Sequence, residues 1–150
     1  MRVKKKSAEP VCMSEAELMR RSQASADEAL VLIERSFDSF SSDLSELSRL
    51  ASLKPKAQSD EIKARMAELD SACDTYEARV LWYVNLFVTN SESVFRIIEG
   101  KSLKRAMRLR IKAGKQRAEI LGRLDELALQ HKSIAQRITG YGYAGNKEVK

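Results

Sequence analysis

The 150-residue chain carries 27 Lys and Arg against 21 Asp and Glu, a formal charge of +6, with only six Gly and two Pro. Few Gly and Pro beside many Ala, Leu, Glu, Lys, Arg and Ser predict helices rather than sheets, because straight-chain residues lose little rotamer freedom in a helix. Two cysteines, Cys12 and Cys73, exclude a disulfide framework, and the most apolar window, residues 80–88, is about half the length that crosses a bilayer. The length suits one domain with its own core. The charged N-terminus has no apolar run after it, so a cytoplasmic protein with two free thiols is expected.

Residues 1–13 read as a flexible basic tail containing Pro10. Ser14 is a good N-cap, with Glu15 and Glu17 in the first turn, where the helix dipole favours acids. A first helix over 14–53 follows. Its seam alternates steps of three and four, from Ala16, Met19 and Gln23 through Ala26, Leu30, Ile33, Phe37 and Phe40 to Ala51. Serines crowd its second half. They compete for backbone hydrogen bonds, so the helix depends on packing to persist.

Pro55 closes that helix, since the residue before proline is turned away from helical geometry. Ser59 or Asp60 caps a second helix over 59–98, with a seam of Ile62, Met66, Leu69, Cys73, Tyr76, Val80, Tyr83, Phe87, Asn90, Val94 and Ile97. An Asn in such a seam is a register-fixing residue, or else belongs to a solvated layer. In the middle of this helix the apolar surface is too wide for one seam. Trp82 and Leu86 form a second face, assigned to the bundle. Leu81, Val84, Val88 and Phe95 form a third, predicted to mediate self-association into a homo-oligomer.

Gly100 lies in a short break, read as a tight turn rather than as a glycine within one very long helix. Ser102 caps a third helix over 102–139. Its seam is predicted to run through Leu103, Met107, Ile111, Gly114, Ala118 and Leu121, then shift to Ile120, Leu124, Leu127, His131, Ile134 and Ile138, a stutter in the supercoil. Thr139-Gly140 ends it, and 140–150 read as a flexible tail. The expected fold is all-α: three long antiparallel helices in a coiled-coil-like bundle, each about 55–60 Å long at 1.5 Å per residue.

Chemistry of catalysis is not suggested. His131 is the only histidine and has no ligand-spaced thiolate or carboxylate beside it. The Gly140-x-Gly142-x-x-Gly145 pattern follows a helix instead of joining a strand to one, so it does not read as a nucleotide site. No enzyme, cofactor or metal is expected.

The functional signal is residues 101–117, with eight basic residues and no acid; the remainder of the chain is therefore slightly acidic. Lys101, Lys104, Arg105, Arg108, Lys112 and Lys115 fall on one side of the predicted helix, within an arc of about 100° at 100° per residue. Acids expected alongside, Glu15, Glu17, Asp27, Glu28, Glu92 and Glu99, are too few to neutralise them. This predicts a non-enzymatic interaction protein that docks an acidic protein partner through that face. Contact with a nucleic-acid backbone is the second reading. An anionic membrane surface is the third, set back because the leucines and methionine of the segment are assigned to the bundle.

Overall fold

The computed structural model describes residues 13–140, with side chains through Ile138. Residues 1–12 and 141–150, which hold all but one residue of each predicted tail together with Cys12 and the glycine-rich motif beyond Gly140, lie outside the described residues. Three helices pack against one another: α1 (Glu15–Ala51), α2 (Asp60–Glu99) and α3 (Leu103–Gly140). A 3-10 turn, Pro55–Ala57, lies between the first two, and there is no strand among the described residues. The fold is an all-α bundle.

Cross-helix pairs set the directions. Glu46 and Asp43 of α1 meet Arg65 and Tyr76 of α2, and Asp70 and Glu92 of α2 meet His131 and Arg110 of α3. One partner's number falls as the other's rises, so successive helices are antiparallel.

Local chemistry starts and stops each helix. The Oγ atoms of Ser14, Ser59 and Ser102 accept from the amides of Glu17 (3.1 Å), Ile62 (3.2 Å) and Arg105 (3.2 Å), satisfying amides that have no partner within the helix. After α1, Lys54 is extended ahead of Pro55, and the buried Gln58 donates from Nε2 to the Leu53 carbonyl at 2.9 Å, closing the connection. Between α2 and α3, the Ile98 carbonyl accepts from both Lys101 (2.8 Å) and Ser102 (2.7 Å). Gly100 keeps right-handed helical dihedrals there. Carbonyl geometry, not glycine's access to positive φ, makes this turn.

The main core fills the end of the bundle away from that turn. Ile33, Phe37, Phe40, Leu44 and Leu47 of α1 meet Met66, Leu69, Cys73 and Val80 of α2 and Ile120, Leu124, Ile134 and Ile138 of α3. Each large side chain buried there contributes on the order of 2 kcal/mol. Toward the turn the core thins to two small clusters, Ala26 with Ala29 and Phe87, and Val94 with Ile98 and Ala106. α1 and α2 pack along most of their length, whereas α3 is held more loosely.

Several seam assignments change. In α1 the predicted seam holds from Ile33 onward, but before it Ser22 and Ala29 are buried in place of Gln23 and Leu30. Gln23 instead donates to Asp27 at 3.0 Å on the exposed side. In α2, Val84, Ser91 and Ile98 are the deep positions; Tyr83, Asn90 and Ile97 are half-buried flanks. Asn90 donates to the Leu86 carbonyl of its own helix at 2.8 Å and is no seam residue. Trp82 and Leu86 are not covered by the bundle, and Trp82 is 63% exposed.

The largest correction is in α3. A shift of phase is present, as two successive steps of four from Leu124 through Ile120 to Gln116, but the residues ahead of it are not the predicted ones: Gln116, Ala113 and Leu109 are half-buried and Ala106 is fully buried. The larger side chains of the C-terminal half set the rotation of the helix, and the N-terminal half follows it. Small Ala106 then lets α3 approach Val94 and Ile98 closely. Leu103, Met107 and Ile111, the predicted seam, are left 55%, 53% and 60% exposed.

Candidate interaction surface on the third helix

At about 100° per residue, the first four turns of α3 divide into three sectors. Ala106, Leu109, Ala113 and Gln116 face the bundle. Leu103, Met107, Ile111 and Gly114 form an apolar stripe on one flank. Lys104, Arg105, Arg108, Lys112 and Lys115 form a cationic stripe beside it, extended by Lys101 in the preceding turn. All six cations are exposed. The apolar stripe is on the α2 side, because Arg110, which adjoins it, reaches across to α2.

Of the acids expected to neutralise this stretch, Glu17 is engaged within its own helix and Glu92 and Glu99 reach a single cation, Arg110. Glu17 is paired with Arg20 and with Arg21 (2.9 Å) in its own helix, and both hydrogen bonds hold its carboxyl below the ordinary range. Glu92 and Glu99 both bind Arg110, at 2.6 and 2.9 Å, and Glu92 also faces Arg96 at 3.6 Å. The hydrogen bond from Arg110 lowers the Glu92 pKa, against a smaller opposing effect of burial; the same bonds raise that of Arg110. Arg110 is thus the cation of the basic stretch that the bundle itself pairs. Among the described residues, no carboxylate lies within ion-pair distance of the six predicted site cations or of Arg117.

The apolar stripe runs into a groove between α2 and α3. The groove, about 260 Å³, has Phe87, Val88 and Phe95 on one wall, Ala113 and Gly114 on the other, and Arg110, Glu92 and Arg117 at its polar margin. A Cβ built on Gly114 would meet nothing within 4 Å, so packing within the chain does not call for glycine there. The four predicted self-association residues do not share one surface. Val84 is 3% exposed and belongs to the main core. Phe95 is half-buried against the Val94–Ile98–Ala106 cluster, Val88 lines the groove, and Leu81 is exposed farther along α2.

A second polar group lies deeper. His131 is buried, with Nε2 2.6 Å from Asp70 Oδ1, Nδ1 3.7 Å from Asp74 Oδ1, and its ring edge-on to Phe40. Tyr76 donates to Asp43 at 2.8 Å, which raises the phenol's pKa. Cys73 lies in the core between them, and burial, with smaller contributions from Asp43, Asp70 and Asp74, pushes its thiol up to about 12. A thiol so poorly ionised is a weak nucleophile. These side chains tie helices together, with Asp43 and Asp70 turned toward neighbouring helices. Among the described residues no cluster of His, Cys, Asp and Glu could hold a metal, and no helix is long and apolar enough to cross a membrane.

Sequence reasoning named the six cations but not the apolar residues beside them. The signal was partial: a strict three-four spacing back from Ile138 lands on Ala106 and leaves Leu103, Met107 and Ile111 outside, but only by way of Arg117 and Arg110, two cations. Comparison with models of protein families, with curated proteins and with solved structures finds no match to this chain.

Proposed function

We propose that the protein is a non-enzymatic interaction protein whose α3 docks an acidic protein partner, with a helical segment of that partner lying in the groove beside the cationic stripe. The observation that carries this reading is the placement of Leu103, Met107 and Ile111, exposed and parallel to the unpaired Lys104, Arg105, Arg108 and Lys112. An amphipathic helix with apolar residues on one face and carboxylates along one edge satisfies both stripes at once. Its apolar residues cover the Leu–Met–Ile stripe, and its acids meet cations that have no carboxylate partner among the described residues.

The alternatives use less of this surface. A phosphate backbone would engage the cations and leave the apolar stripe in water. An anionic bilayer would engage both, but the groove beside the stripe is concave, and a bilayer surface leaves it unfilled. A cytoplasmic setting is supported by the buried, unpaired thiol of Cys73.

The test compares wild type with a charge-reversed variant (Lys104, Arg105, Arg108 and Lys112→Glu) and a Met107→Ser/Ile111→Ser variant. A protein captured by wild type and lost with both variants is the expected result. Binding to generic duplex that falls steeply with salt and ignores the serine variant would replace this reading with nucleic-acid binding. Co-flotation with anionic liposomes, lost in both variants, would replace it with membrane-surface binding.

A further inference from the structure

The outer face of α2 is unlike the rest of the surface. Residues 80–91 contain no charged side chain, in a chain whose residues are 32% charged. Three turns of this segment point away from the bundle, and Ala78, Leu81, Trp82, Asn85 and Thr89 are all exposed there. Arg79, the nearest cation, is turned aside over the Tyr76 ring at 5.9 Å. A solvated helix face ordinarily carries charge; this one carries a tryptophan.

The charges resume symmetrically. Asp74 lies eleven residues before Asn85 and Arg96 eleven residues after it. Both fall on the same outer face, with side chains 73% and 77% exposed. Ala78, Leu81, Asn85, Thr89 and Glu92 step between them at intervals of three and four, the spacing of a helix–helix seam, and Glu92 is already held by Arg110. We propose that a second copy of the chain packs antiparallel on this face, with the two-fold axis passing at Asn85.

That arrangement is self-complementary. Asp74 of each copy opposes Arg96 of the other, so two ion pairs close the ends of the seam; among the described residues of one chain these two have only the longer ion-pair contacts to His131 (3.7 Å) and Glu92 (3.6 Å). On the axis the two Asn85 side chains meet, and each amide supplies both donor and acceptor. Trp82 of each copy loses its exposure against the partner's helix. The contact is isologous and closes at two chains.

Charge also selects the antiparallel direction. The Glu92–Arg110 pair places the middle of the cationic stripe about nine residues along α2 from Asn85. In the antiparallel dimer the two stripes are then centred about 27 Å apart along the axis at 1.5 Å per residue, beyond the Debye length of about 8 Å at physiological salt. A parallel pair would set the stripes side by side and bring Asp74 against Asp74 and Arg96 against Arg96. The proposed dimer uses a different face from the partner-docking surface of α3, so either can hold without the other.

Sedimentation equilibrium of the full chain at tens of micromolar tests the contact. Wild type is expected at twice the chain mass, and Trp82→Glu at the single-chain mass with unchanged helicity. Asp74→Lys and Arg96→Glu are each expected to raise the dissociation constant about tenfold, two pairs being affected per dimer, and the double variant to restore it. In a Cys12→Ser background, Asn85→Cys is expected to cross-link to itself, whereas Thr75→Cys, about 30 Å from its copy in this register, is not. A wild-type monomer at these concentrations, cross-linking through Thr75→Cys in preference to Asn85→Cys, or failure of the double charge swap to restore association overturns the proposal.

Discussion

Arg110 of α3 holds two carboxylates of α2 at once, Glu92 at 2.6 Å and Glu99 at 2.9 Å. The pairing fastens the turn-proximal ends of the two helices where the core is thinnest. It also pairs one of the two arginines that line the groove, and so separates a structural charge from the other cations of the stretch.

The Glu92 carboxyl, held below its ordinary value of 4.5 by Arg110, should make stability depend on acid. A group whose folded-state pKa is depressed contributes stability that is present above the ordinary value and lost as pH falls through the lowered one. Glu92→Gln should therefore cost up to about 1 kcal/mol at pH 7, as befits a partly exposed pair, and progressively less as the pH falls toward 2. Urea unfolding of both proteins at the two pH values checks this; a gap that persists in acid would mean the loss is one of packing.

Leu103, Met107 and Ile111 are exposed while Ala106 is fully buried. Replacing the three with serine should change unfolding free energy by less than about 0.5 kcal/mol for each exposed site. Ala106→Leu should overpack the contact with Val94 and Ile98 and cost about 1–3 kcal/mol. The opposite ranking in a denaturant titration would mean that α3 is rotated and the apolar stripe is inside.

Gly114 and Gly122 both lie within α3, and a Cβ on either meets nothing within 4 Å. Alanine at each should stabilise the helix by roughly 0.5–1 kcal/mol, read as a rise of a few degrees in the melting midpoint. Only Gly114 lines the groove. Gly114→Ala should weaken partner docking and Gly122→Ala leave it unchanged, so the pair separates a docking requirement from helix propensity.

His131 should be worth more than its size suggests. His131→Ala removes a buried ring packed on Phe40 and leaves Asp70 without the partner that stands 2.6 Å away. Lost packing and an unsatisfied carboxylate together should cost about 2–4 kcal/mol. A shift below about 1 kcal/mol in urea unfolding would mean that water replaces the ring.

How far the sequence was legible varied along the chain. The ends of the helices were readable because each is set within four residues: Ser14, Ser59 and Ser102 cap their own first turns, and Pro55 constrains only its neighbour. The seam in α1 from Ile33 to Ala51 was readable because one apolar stripe is available there. In α2 three stripes compete, and Val84, placed by sequence on an outer face, lies in the core while Trp82 lies in water.

For α3, hydrophobicity alone identified Leu103, Met107 and Ile111 as a stripe but could not say which way it turns. Apolar residues at helical spacing specify a face; the rotation of a 38-residue helix is set by whichever part of it packs most strongly. Here that part is the C-terminal half, where Ile120, Leu124, Ile134 and Ile138 enter the main core. The sequence by itself determined three capped helices and a concentration of positive charge on the third. Tertiary packing decided which acids were left to balance that charge, and that an apolar stripe lies exposed beside it.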